Sequence, residues 1–184
     1  MKRVLLFFIF LSLLFTACEE VEIENESENF KFRDEVTLPG STVEIYDAIT
    51  GDISGWWDHS FSENPYKFYI EAKPGGGFYE IFDESGDGVK HAEVTYAKRG
   101  EILRFEGPLG LSGRAIHMVT SYYFESVGTD STLLAYEVHG SGEVEDKTSK
   151  IVEGVWKHFI FERFVPYINE GKHKIKSETI KSAE

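Results

Sequence analysis

The chain has a single cysteine, Cys18, so no intramolecular disulfide can form and no multi-cysteine metal site exists. It is short of basic residues: 19 Lys and Arg stand against 32 Asp and Glu, a formal net charge of −13. A surface of that sign repels phosphate backbones and excludes nucleic acid as a partner. The apolar run Val4–Phe15 would rise about 18 Å as a helix, too little for a hydrocarbon core of ~30 Å. No Gly-Lys-Ser/Thr follows the glycine triplet at 75–77, so the triplet reads as a hairpin and not a phosphate cradle. No Gly-x-Ser-x-Gly elbow occurs, and nucleophilic catalysis has no visible agent. The six histidines include no His-x-x-x-His pair, so the sequence points to no metal site and no cofactor. What the chain has in plenty is rings: 15 Phe, 9 Tyr and 3 Trp among 184 residues. That is more ring volume than a small core needs, and in one domain with small appendages it points to a cavity wall or an aromatic-lined groove, although large cores use rings too.

Lys2 and Arg3, the apolar run and the small Thr16 and Ala17 together read as a secretory signal over residues 1–17. Phe15-Thr16-Ala17-Cys18 resembles the lipobox of bacterial lipoproteins, with Phe15 where that motif usually has Leu. The resemblance implies cleavage before Cys18, a diacylglycerol thioether on its sulfur and acylation of the new amine. Two or more acyl chains anchor stably, so the expected location is the bacterial cell envelope, on its periplasmic or outer-surface face, after export across the inner membrane. A plain signal peptide with an incidental cysteine is the alternative. Residues 18–29 follow as the lipidated Cys18 and an acidic tether carrying six Glu, whose mutual repulsion extends the chain.

Residues 30–171 read as one domain and 172–184 as a lysine-bearing, frayed tail. Phe30–Leu38 alternates as a strand and ends at Pro39-Gly40. Ser41 and Glu44 form a capping box for a short helix that Gly51 stops, and a second helical turn carries Trp56-Trp57. Six runs of period two follow, at 67–72, 78–82, 89–97, 102–106, 116–126 and 132–139, joined by short glycine-containing turns. Such connections predict an antiparallel meander. On one phase lie Ala92, Val94 and Tyr96, while His91 and His139 fall on the polar phase. After Gly142 the period changes: Asp146 or Thr148 starts a long helix to about Asn169, with Pro166 bending its last turn. Its apolar stripe joins the row Ile151, Val155, Phe159 to the row Val152, Trp156, Ile160, Phe164.

This order resembles the START-like (SRPBCC) superfamily, which includes pollen-allergen-type lipid binders, polyketide cyclases and homologues of heat-shock-chaperone activators. The residues that carry the resemblance are Pro39-Gly40-Ser41-Thr42-Val43, Ile53-Ser54-Gly55-Trp56-Trp57, Gly75-Gly76-Gly77-Phe78, Leu103 to Gly110, and Gly154-Val155-Trp156. It implies an α+β helix-grip fold: a curved seven-stranded antiparallel sheet wrapped around the long C-terminal helix, with two short helices after the first strand. A cavity between sheet and helix would take an apolar small molecule or a lipid.

The expected cavity lining is Trp56 and Trp57, with one under the sheet edge and one at the mouth; Tyr96, Phe105, Met118 and Tyr136 on the sheet; and Val152, Trp156, Phe159 and Ile160 on the helix. Trp156 is expected beside open space and not in a filled core. Acid–base candidates are Asp58, His59, Glu80, Tyr96, Arg104 and Tyr122, of which the sequence brings no two together. Two functions follow: a binding module for a hydrophobic small molecule, or a cyclase- or dehydratase-like enzyme using the same cavity. Protein binding of the chaperone-activator kind is disfavoured for a secreted chain.

Overall fold

The computed structural model describes residues 28–145 and 147–174. The signal segment, Cys18, the tether up to residue 27 and the tail beyond 174 lie outside the described residues. One antiparallel sheet holds β1 (Glu28–Pro39), β2 (Gly51–Asp52), β3 (Lys67–Ile70), β4 (Gly77–Ile81), β5 (Gly88–Lys98), β6 (Ile102–Gly107), β7 (Ile116–Ser126) and β8 (Ser131–Gly142). Their order across the sheet is β1-β8-β7-β6-β5-β4-β3-β2, so β1 pairs with the last strand and the rest form a meander. The expected sheet had seven strands; the eighth is β2, a two-residue edge pairing of Gly51 with Ile70 and Asp52 with Tyr69. β1 also starts earlier than expected, taking Glu28 and Asn29 from the tether to pair with Gly142 and Ser141.

α1 (Thr42–Ile49) begins at Ser41, whose hydroxyl accepts from the Glu44 N–H at 3.3 Å, a first-turn donor with no partner inside the helix. The Glu44 carboxylate does not reach back to close a capping box. It meets His173 at 2.9 Å and Lys174 at 3.2 Å instead, so the start of the expected frayed tail is packed down and His173 is buried. The second short helix does not form. Gly51 leaves α1 at φ 64° and enters β2, and the Asp52 carboxylate then accepts from both the N–H and the hydroxyl of Ser54. That local turn competes with helix, leaving a single turn in which the N–H groups of Trp56 and Trp57 both donate to Ile53 O.

The long helix is α2 (Thr148–Lys157), a π-helical segment (His158–Phe164) and α3 (Val165–Asn169). Thr148 does not cap it: its hydroxyl accepts from Glu145 N–H, outside the helix. The Val165 N–H donates to Ile160 O, a five-residue step, and Pro166 follows where its missing N–H leaves no donor unpaired. Val152, Trp156, Phe159, Ile160, Phe164, Tyr167 and Ile168 are buried against the concave face of the sheet. Among the described residues, no helix is long and apolar enough to cross a membrane.

Candidate functional site

Between the concave sheet and the start of the long helix lies a cavity of about 340 Å³, within the size range of small-molecule sites. The helix contributes Val152, Val155, Trp156 and Phe159, and the sheet contributes Phe78, His91 and Met118. The 3₁₀ turn Leu109–Leu111 and the segment Trp57–Phe61 complete the wall. Ile151, 63% exposed, and Phe61, 52% exposed, mark where it opens to solvent.

Five of the ten expected lining residues border this space: Trp57, Met118, Val152, Trp156 and Phe159. Trp56, Phe105, Tyr136 and Ile160 are buried in the packed layer and do not reach it. The adjacent tryptophans divide as their opposite directions require. Trp56 packs edge-on against Phe164 with ring centroids 4.9 Å apart. Trp57 stacks on Phe159 at 3.7 Å and meets Phe78 edge-on at 5.0 Å, while its indole N–H donates to His59 O at 2.9 Å. Trp57 thus fixes both the wall and the start of the loop beyond it. Tyr136 is withheld from the cavity by donating its hydroxyl to Asp34 at 3.2 Å, and burial together with the Asp34 charge pushes that hydroxyl's pKa up.

Tyr96 is a correction: it is 45% exposed, on the convex face. Val94 pairs with Phe105 but Tyr96 pairs with Arg104, so Thr95 is an extra residue that flips the phase of β5. A second bulge reverses the expectation for His91. Phe78 pairs with Ala92 and Tyr79 with Lys90, leaving His91 unpaired and turned inward beside Ala92. Gly107 permits this: a Cβ there would stand 2.6 Å from His91 O and 2.7 Å from Ala92 Cα.

His91 meets Glu80, whose side chain is fully buried. The Glu80 carboxylate accepts from Phe61 N–H at 2.9 Å, Ser62 N–H at 2.8 Å and the Ser62 hydroxyl at 3.0 Å, and lies 3.1 Å from His91 Nε2. Burial works to raise its pKa, but the two backbone donors, Ser62 and His91 outweigh it and hold the carboxyl below its ordinary value. Glu80 therefore ties the 58–62 loop to the sheet. Of the other acid–base candidates, Arg104 points to the convex side and donates to Ser121 at 2.9 Å. Tyr122 is buried behind Trp156, its hydroxyl pushed well up by desolvation.

Leu109 is the one non-glycine residue of the described chain with positive φ, 51°. That conformation costs roughly 1–2 kcal/mol for a side chain with a Cβ, and burial of Leu109 over the cavity holds it there. At the mouth, Asp58, His59 and His158 place possible metal-donor atoms within 4.8 Å of one another, although the sequence shows no ligand spacing. His158 lies between Glu162 and Asp58, which in that order raise its pKa.

No family model matches the sequence, and neither does any curated protein. Solved structures do resemble the chain. A conserved Enterococcus faecalis protein of unknown function, EF2215, superposes with a TM-score of 0.57 at 12% identity, over 86% of this chain and 89% of that one. Ara h 8.0201 gives 0.55 at 14%, over 78% and 99%. DynU16, from the dynemicin biosynthetic locus, gives 0.52 at 18%, over 77% of this chain and 48% of that one. This is the helix-grip fold. Identities this low establish the grip and nothing finer, and a fold does not fix a function. The helix grip does explain where the cavity sits: a sheet this curved cannot meet the helix along its whole length.

Proposed function

We propose that the chain binds an apolar or amphipathic small molecule in the cavity between the sheet and the C-terminal helix. The observation that carries this reading is the ring- and aliphatic-lined space itself, with polar groups only at His59, Ser60 and His91. Met118 is buried on the sheet side of that space, so it is the position to fill. Met118→Trp should reduce affinity for an environment-sensitive naphthalene sulfonate dye at least tenfold, while thermal stability changes little. A larger ring forced into a solid core costs ~1–3 kcal/mol. A wild-type protein that binds no dye, with Met118→Trp destabilised by that amount, would refute the reading.

A second reading, acid–base chemistry in the same cavity, is favoured by the Glu80–His91 pair. Glu80 commits His91 Nε2 and leaves Nδ1 on a ring that lines the cavity. Mass spectrometry of organic extracts separates the two: a binder retains the same compound in wild type and His91→Asn, whereas an enzyme retains a compound of different mass in the variant.

We also propose that Cys18 is lipidated and holds the domain at a membrane of the bacterial envelope. What supports it is the Phe-Thr-Ala-Cys sequence after the apolar run and the absence of any other cysteine. Wild type should partition into the detergent phase and carry acyl mass. Cys18→Ala should stay in the aqueous phase, and equal partitioning would exclude the anchor.

A further inference from the structure

We propose that Asp58, His59 and His158 bind a divalent transition-metal ion of the zinc class at the mouth of the cavity. The three come from two elements that the fold brings together: Asp58 and His59 follow Trp57, and His158 opens the π-helical segment. Two imidazoles and a carboxylate are the donor set of zinc and its first-row neighbours, and not of magnesium or calcium, which prefer oxygen alone.

The arrangement is held from outside. Glu162 takes His158 Nδ1 at 2.8 Å, which fixes the ring and directs Nε2 at Asp58, 3.0 Å from each carboxylate oxygen. A carboxylate behind an imidazole is the usual support of a metal-bound histidine. An ion bound there would take the place of the present contact between Nε2 and the Asp58 carboxylate. Trp57 Nε1 pins the His59 carbonyl, and the His59 ring lies near-parallel to that of His158 with centroids 5.4 Å apart. Among the described residues, the His59 ring nitrogens make no hydrogen bond or ion pair. Zinc–nitrogen bonds of ~2.0–2.1 Å put donors roughly 3.4 Å apart. The donor atoms, now within 4.8 Å of one another, reach that spacing by rotation of the exposed His59 side chain. Arg163 Nε stands 3.1 Å from Asp58 Oδ2 and opposes a cation, but Asp58 keeps Oδ1 and Glu162 adds a second negative charge. Three protein ligands leave a tetrahedral ion one open position, and His59 lines the cavity. An oxygen on the polar end of a bound molecule could fill it; this last clause rests on the proposed cavity ligand, and the site itself does not.

The test is calorimetric titration of the metal-stripped protein with zinc, with cobalt(II) substitution read by its visible absorption. Wild type should take up one zinc saturably and give the intense bands of a tetrahedral cobalt site. His59→Ala and Asp58→Asn should each weaken zinc at least tenfold, and Glu162→Gln, acting through His158, by about tenfold or more. The double variant His117→Ala/His139→Ala, on exposed histidines elsewhere, should bind zinc as wild type does. Dye affinity measured without metal reports on the cavity separately, so failure of one reading is distinguishable from failure of the other. Absence of saturable zinc, or wild-type affinity in His59→Ala with its melting temperature intact, would overturn the site.

Discussion

Replacing Glu80 with alanine should destabilise the domain by about 3–5 kcal/mol, because each buried polar group left without its partner costs ~1–3 kcal/mol. The N–H groups of Phe61 and Ser62 and the ring of His91 all meet this carboxylate, and alanine offers them nothing. At ~2–4 °C per kcal/mol for a domain of this size, the melting temperature should fall by roughly 6–20 °C. Dye binding should fall with it, because Phe61 and Ser60 line the cavity on a loop that Glu80 holds. Acid gives an independent reading. The folded carboxyl lies below its ordinary value of 4.5, so its stabilisation is complete above that value. It is lost as pH falls from there through the lower folded value. Glu80→Ala should therefore flatten the acid limb of a stability–pH curve below about pH 4.5. Equal urea midpoints and an unchanged acid limb would mean that the loop is held by something else.

Trp156→Ala should have the next largest effect, about 3 kcal/mol, at the low end of the ~3–5 kcal/mol for truncating a buried tryptophan. Its ring sits 6.1–6.4 Å from those of Trp57, Phe105, Tyr122, Tyr136 and Phe159, so much dispersion contact is lost. One side already borders the cavity, and there no contact exists to lose. The same change should enlarge the cavity and admit a bulkier dye than wild type accepts. Urea unfolding and dye titrations together check it. A loss well above 5 kcal/mol, with no gain for the larger dye, would mean that Trp156 stands in a filled core.

These effects could be placed on the right elements because burial leaves a period in the sequence. The 3.6-residue repeat from Val152 to Phe164 marked the helix face, and alternation over 116–126 and 132–139 marked β7 and β8. Five of the fifteen residues of the cavity wall were legible on that basis. Others depended on interruptions of the period or on loops. Thr95 and His91 each add one residue to β5, and nothing in the strand's own residues announces either; the one trace is Gly107, whose bare backbone lets His91 come close. Tyr96 therefore faces outward where the alternation places it inward, and His91 faces inward where the alternation places it outward. Phe61 and Asp58 sit on a loop placed by contacts with Glu80 and His158, which are distant in sequence, so no local pattern could bring them to the mouth.

The widened stretch of the long helix sets the phase of everything after it. Val152, Trp156, Ile160, Phe164 and Ile168 are spaced by four, and all five are buried. In a uniform helix of 3.6 residues per turn, each step of four overshoots a full circle by about 40°. Over four steps the row would wind some 160° and leave the sheet before reaching Ile168. The π turns of His158–Phe164 absorb that overshoot by accommodating more residues per turn, so a row that should spiral runs nearly straight. The register of α3 beside β1 is thus a matter of one surplus residue upstream. Removing an exposed member such as Phe161 would rotate Tyr167 and Ile168 by about 100° about the helix axis. It would also swing His173 away from Glu44, at the opposite end of the helix from the cavity.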